Sequence, residues 1–267
     1  MMNKSQKLGI QGRPDVPPRL FDLVPRYIEK YGYKDCLFAG KVDRQWVKYN
    51  GQKFYDMTNS ISHGLLKLGI KKGDRIALIA TNCPEWNMID FAIQQVGAIC
   101  IPIYPTISHD DYDYIFKHSE TSLVFVINKH LYNKVSDIIT STPSIKDTYL
   151  IRASEGMKSL QELIELGNEY RDEAALEASK AEVKNEDVAT IIYTSGTMGT
   201  PKGVMLTHRN ILSVVEYLCP LYPIDETHDA LSYLPLSHIY ERAVQYCHIY
   251  LGCATYYVDN IGAIIDT

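Results

Sequence analysis

The chain has 267 residues, enough for one large domain or two ordinary ones, and its 46% hydrophobic content is sufficient for a sizeable buried core. Its formal charge of −5 arises from 32 acidic and 27 basic side chains, with no basic stripe and no run of five like charges, which argues against a nucleic-acid partner. No apolar stretch approaches the ~20 residues that span a bilayer, so secretion and membrane spanning are disfavoured, while peripheral attachment to a membrane stays open.

The six cysteines, Cys36, Cys83, Cys100, Cys219, Cys247 and Cys253, are scattered, with no Cys-x-x-Cys pair to read as a zinc site or redox dithiol. They are expected to be reduced and mostly buried thiols of a cytoplasmic protein, and no metal ligand is assigned.

In chain order, residues 1–16 read as a polar tail. Leu20, Leu23, Val24, Tyr27 and Ile28 follow at helical spacing after Pro17-Pro18 and predict an amphipathic helix to Tyr31. Cys36–Ala39 and Gln45–Tyr49 predict a hairpin. From Arg75 the pattern is strand, turn, helix, repeated. Arg75–Ala80, Ala98–Tyr104, Leu123–Ile127 and Thr148–Ile151 are apolar runs, separated by helices over Glu85–Val96, from Ser108 through His118, and up to Ile139. Short apolar strands alternating with amphipathic helices predict an α/β fold of mostly parallel sheets flanked by helices. Between about Gly156 and Asp187 the composition shifts to Glu, Ala and Lys, which reads as a solvated helical connector. On that basis residues 17–185 are expected to form a first α/β subdomain and 186–267 the start of a second. Val188–Tyr193 is then a strand, followed by a helix from about Arg209, a strand over Ala230–Leu234, a helix over Ser237–Leu251 and a strand over Ala254–Val258. The tyrosines, including Tyr104, Tyr112 and Tyr114, are read as packing groups.

The strand at Val188 runs into Thr194, Ser195, Gly196, Thr197, Met198, Gly199, Thr200, Pro201, Lys202 and Gly203. Glycines let backbone N–H groups approach an anion, hydroxyls add donors that reorient around a phosphate, and Lys202 adds a mobile charge. Hydrogen bonds to charged groups contribute ~1.5–3 kcal/mol each, so several together can hold a polyphosphate. The loop is not a Walker A motif: counting from Gly196, the sixth residue is Pro201 where that motif requires glycine. About 40 residues later, L-P-L-S-H-I-Y-E-R, Leu234 to Arg242, follows a strand and opens a helix.

The stretch Y-T-S-G-T-M-G-T-P-K-G-V-M-L-T-H, Tyr193 to His208, resembles the signature of the adenylate-forming superfamily of acyl-CoA synthetases, luciferases and peptide-synthetase adenylation domains. It departs at Met198, where a second threonine is usual and only a backbone N–H remains. The segment Leu234 to Arg242, with Gly73–Trp86 and Gly97–Thr106 as scaffold, is similar to the long-chain fatty acid–CoA ligase branch. The resemblance implies an incomplete N-terminal domain of the acyl-CoA synthetase-like fold. Thr194, Ser195, Thr197 and Thr200 would then grip ATP phosphates and Lys202 would neutralise departing pyrophosphate. His238 would stand beside the acyl carboxylate and the α-phosphate, with Glu241 and Arg242 on the substrate side or forming a local ion pair on the helix surface. Thr207 reads as a helix cap only. The implied reactants are a fatty acid, ATP with Mg²⁺, and coenzyme A. The adenine, ribose and Mg²⁺ sites and the small C-terminal domain of such enzymes lie beyond Thr267, so the chain is expected to be a fragment that is inactive alone. A fatty acyl-AMP ligase, another acid-activating relative and a non-catalytic nucleotide-binding module are the alternatives.

Overall fold

A computed structural model describes residues 15–42, 44–194 and 200–258. Strands β3 (Arg75–Ile79), β4 (Ile99–Ile103) and β5 (Leu123–Val126) are the apolar runs, shortened by a residue or two at their ends, and β6 (Asp147–Leu150) is the fourth, set one residue earlier. With β7 (Val188–Thr194) and β8 (Lys202–Thr207) they form a six-stranded sheet in the order β6-β5-β3-β4-β7-β8, parallel throughout except for the antiparallel pair β7 and β8. A continuous apolar strand can be buried on both faces, and β3, β4 and β5 are. Ala77, Ile79, Ile101 and Val124 face Tyr112, Phe116, Val135 and Ile138 of helices α4 (His109–Ser119) and α5 (Lys129–Ser141).

On the opposite face Ile76, Leu78, Cys100 and Phe125 join a larger core with helices α2 (Gly51–Lys67), α3 (Pro84–Gln95) and α9 (Ile239–Leu251). That core continues into a second sheet in the order β2-β1-β10-β9, built from β1 (Phe38–Val42), β2 (Gln45–Tyr49), β9 (Asp229–Ser232) and β10 (Ala254–Tyr257). A run of edge-on aromatic rings crosses it: Phe38 on Phe54 with centroids 5.0 Å apart, Phe54 on Phe91 at 5.8 Å, and Phe91 on Tyr246 at 5.8 Å. Helix α1 (Leu23–Tyr31), preceded by a single 3₁₀ turn over Leu20–Asp22, buries Leu20, Leu23, Val24 and Tyr27 in the same core. All six cysteine thiols are buried, and among the described residues no helix is long and apolar enough to cross a membrane.

The boundary expected near residue 185 does not divide the sheets. β7 joins β4 through the Cys100 and Thr190 register, and β1 from the first segment pairs in parallel with β10 from the second, Phe38 opposite Thr255. The apolar edges of each half are covered only by strands from the other, so the two segments share one core.

The connector is solvated on one side only. It folds as α6 (Leu160–Glu169), opened by a capping box between Ser159 and Glu162, and α7 (Glu173–Glu182). Leu160, Leu163 and Ile164 are buried, and α6 meets α2 backbone to backbone. A Cβ placed on Gly167 would lie 1.8 Å from the Ser60 carbonyl oxygen, and one on Gly64 would lie 2.6 Å from the Leu163 carbonyl oxygen. Gly167→Ala is therefore expected to lower stability towards the upper end of the ~1–3 kcal/mol typical of overpacking, read as a lower urea midpoint at unchanged slope.

Candidate active site

β7 and β8 form a hairpin whose register places Thr194 opposite Lys202 and Tyr193 opposite Gly203. The phosphate-loop residues Ser195, Gly196, Thr197, Met198 and Gly199 lie outside the described residues; Thr194, Thr200 and Lys202 flank them and are exposed. The loop end of the hairpin is braced from one side. The Tyr193 hydroxyl lies 2.7 Å from His118 Nδ1 and its ring meets Tyr114 edge-on. Gly203 has a local reason to be glycine that differs from anion binding: a Cβ there would lie 2.9 Å from Ile191 Cγ2 and 3.3 Å from the Tyr193 ring.

The second constellation is a turn leading into α9. The His238 N–H donates to the Pro235 carbonyl at 2.9 Å, and His238 caps the helix, its Nδ1 accepting from the Tyr240 N–H at 3.3 Å. An imidazole nitrogen that accepts a hydrogen bond carries a lone pair, so the proton of neutral His238 sits on Nε2. In that tautomer Nε2–H is left as a hydrogen-bond donor.

These two pieces meet. A cleft of about 430 Å³ is lined by Pro102, Ile103 and Tyr104 at the end of β4, Ile107 and Ile115 on the α4 side, Ile192, Tyr193 and Thr194 of β7, and Pro235, Ser237, His238 and Ile239. It opens at the carboxyl ends of β4 and β7, the general place for ligands on an open parallel sheet. Its walls are mostly apolar, with Thr194, Ser237 and His238 among the polar groups.

Glu241 and Arg242 take a different place from the one expected. Neither is at the helix surface, they do not pair with each other, and neither lines the cleft. Arg242 is fully buried and paired with Asp90 of α3: Nη2 donates to Asp90 Oδ1, Nε to Asp90 Oδ2 at 3.2 Å, and Nη1 to Thr190 Oγ1 of β7 at 2.7 Å. The Tyr246 hydroxyl and Gln94 Nε2 complete the Asp90 carboxylate at 2.8 and 2.9 Å. Burial opposes the Arg242 charge, but Asp90 and Tyr246 outweigh it, so the guanidinium titrates above its ordinary range. Glu241 accepts from Ser232 Oγ at 2.6 Å and Gln245 Nε2 at 3.1 Å, while burial pushes its pKa up. The cause of both placements is the depth of the helix: His238 at the cap is exposed beside the cleft, whereas from Glu241 onward α9 runs through the core and is buried on almost every side. Asp90 was legible only as one carboxylate within the apolar window Met88–Ile93; its partner is 152 residues away.

His208, which ends the loop signature, faces the interior beside Thr207, whose hydroxyl and Asn210 form a capping box for α8 (His208–Leu218). His208 Nδ1 accepts from the Leu20 N–H at 3.2 Å and its ring stands edge-on to Phe21. Burial pushes its pKa down to about 4. The unfolded chain binds a proton near pH 6.5 that the folded chain refuses, so this contribution to stability is complete above about 6.5 and is lost as pH falls towards 4. The urea midpoint is expected to drop between pH 7 and pH 5, and by less in His208→Asn; equal drops would remove His208 as the cause.

Comparison with known proteins places the chain. Residues 25–265 match the AMP-binding enzyme family, and the chain belongs to it. Among curated relatives, it is 32% identical over 210 residues to the long-chain-fatty-acid–CoA ligase FadD15 of Mycobacterium bovis, covering 78% of this chain and 35% of that one. It is 30% identical over 298 residues to the long chain acyl-CoA synthetase 4 of Arabidopsis thaliana, covering 93% of this chain and 42% of that one. In fold it is similar to a long-chain-fatty-acid–CoA ligase from Archaeoglobus fulgidus, with a TM-score of 0.77 at 24% identity, covering 90% of this chain and 46% of that one. The chain thus spans between 35% and 46% of the length of these proteins.

Proposed function

We propose that this chain supplies the phosphate-gripping and acid-facing part of an enzyme that activates a long-chain fatty acid with ATP and passes the acyl group to coenzyme A. The observation that carries the reading is the shared apolar cleft, into which both His238 and the strand feeding the phosphate loop open. In the first step a carboxylate oxygen bonds to the α-phosphorus as the bond to the bridging oxygen breaks, releasing pyrophosphate. In the second the coenzyme A thiolate attacks the acyl carbon and AMP leaves. Both steps depend on positioning and on neutralising charge. Thr194, Ser195, Thr197 and Thr200 supply hydroxyl donors to phosphate oxygens, with the Gly196, Met198 and Gly199 backbone beside them, and Lys202 carries the balancing charge. His238 holds the carboxylate oxygen through Nε2–H. Mg²⁺ bound with the nucleotide would offset phosphate charge. Among the described residues no group of three or more His, Cys, Asp or Glu side chains is arranged to hold it. A cytoplasmic protein touching a membrane surface to collect fatty acid fits this reading.

The test uses the full-length protein carrying this sequence and a panel of fatty, aryl and amino acids, with and without coenzyme A. Acyl-CoA is expected from long-chain fatty acids with AMP and pyrophosphate as co-products. Preference for aryl or amino acids, or adenylate that never transfers to coenzyme A, would overturn the proposal. The 267-residue chain alone is expected to bind ATP weakly and to release no fatty-acid-dependent pyrophosphate.

A further inference from the structure

The turn that carries His238 is held from outside its own segment. Asn82, in the turn between β3 and α3, is 8% exposed, and its carboxamide bonds to chain about 150 residues away. Nδ2 donates to the Leu234 carbonyl at 2.7 Å and to Ser232 Oγ at 3.1 Å, and Oδ1 accepts from the Leu236 N–H at 2.9 Å. The side chain therefore acts as a peptide group, satisfying one acceptor and one donor of a backbone turn at once. Ser232 Oγ in turn donates to Glu241 Oε1 at 2.6 Å in the first turn of α9. His238 lies between the two anchored places, two residues after Leu236 and three before Glu241.

We propose that Asn82 is a positioning residue: it ties the His238 turn to the end of β3, and so to the sheet from which the phosphate-loop strand emerges, without touching substrate. Three features carry this beyond scaffolding. The bonds flank the residue that faces the cleft, they refer it to the same rigid sheet as Thr194, and half of the clamped turn is open, Leu234 being 36% exposed. A partly open turn that loses its clamp can rebond to water and drift, so the loss falls on geometry more than on folding. The inference rests on the reading of His238 as the group that meets the carboxylate.

The test uses the full-length protein carrying this sequence, with Asn82→Ala, Asn82→Asp, His238→Ala and the two double variants, followed by fatty-acid-dependent ATP–pyrophosphate exchange. Displacing a positioned group costs up to about 100-fold, so Asn82→Ala is expected to lower kcat/KM for the fatty acid about 10- to 100-fold, with ATP affinity within about twofold of wild type. Asn82→Asp keeps the bond to Leu236 but sets a carboxylate oxygen against the Leu234 carbonyl, so it should lose at least as much as the alanine variant; it also serves if the alanine variant folds poorly. In the His238→Ala background the further loss should shrink to about twofold or less, because the two act as one unit. Equal losses in both backgrounds, or no loss in either, overturn the inference. Nitrogen-15 spectra of labelled histidine separate it from the functional reading. Wild-type His238 is expected as the Nε2–H tautomer and Asn82→Ala as a mixture. A changed spectrum with unchanged exchange would sink the role of His238 and leave Asn82 in place; an unchanged spectrum sinks Asn82.

Discussion

Arg242→Ala is expected to cost about 3–5 kcal/mol of folding stability, the range for leaving one member of a buried ion pair without its partner. The reason is the completeness of burial: Arg242 and Asp90 side chains are both 0% exposed, and without the guanidinium the carboxylate keeps only neutral partners, Tyr246 and Gln94 among them. The pair as a whole is a different matter. Its desolvation offsets much of its attraction, so Asp90→Leu combined with Arg242→Met should recover more than half of the loss. Urea unfolding of the 267-residue chain measures both. A loss under about 1 kcal/mol for the single variant would mean that α3, β7 and α9 are not tied together through this guanidinium. Burial at the junction of those elements also predicts that the single variant weakens activity through the His238 helix and the loop strand together, since Arg242 bonds to both α3 and Thr190.

Lys202→Ala should behave in the opposite way. Lys202 is exposed at the first position of β8, so its removal is expected to leave stability within about 0.5 kcal/mol. If it neutralises the departing pyrophosphate, the full-length protein should lose about 2.7–4 kcal/mol of transition-state stabilisation, seen as a fall of about 10²- to 10³-fold in the adenylation rate. Lys202→Arg, which keeps the charge and alters its shape, should restore part of the rate. Adenylation that proceeds at the wild-type rate in Lys202→Ala would remove the assigned role. The two variants thus separate a residue that builds the site from one that acts in it.

What could be read in advance follows from where the free energy is concentrated. β3, β4 and β5 were legible because strands buried on both faces must be apolar along their whole length. The loop and His238 could be singled out because the resemblance to the family rests on local order and spacing. Helix α2 was not anticipated: much of its buried face is Thr58, Asn59, Ser62, His63 and Gly64 rather than an unbroken apolar stripe, and Gly64 allows α6 to approach closely. Strand β8 was not anticipated either, because it stands at the sheet edge among the described residues and leaves Val204 and Met205 exposed, so burial imposes no pattern on it. Glu241 and Arg242 were assigned outward because their partners, Ser232, Asp90 and Thr190, come together only through the fold.

The parallel pairing of Phe38 with Thr255 has a consequence for how the protein is made. During vectorial synthesis the amino-terminal hairpin leaves the ribosome long before β10 exists, so its inner strand must wait with an open edge while some two hundred residues are added. Pairings this distant in sequence form late and slowly, and an unpaired apolar edge is a template for association with other chains. Nascent chains halted before residue 254 should therefore be chaperone clients, and co-expressing residues 1–185 and 186–267 as separate pieces should give aggregates rather than two folded modules.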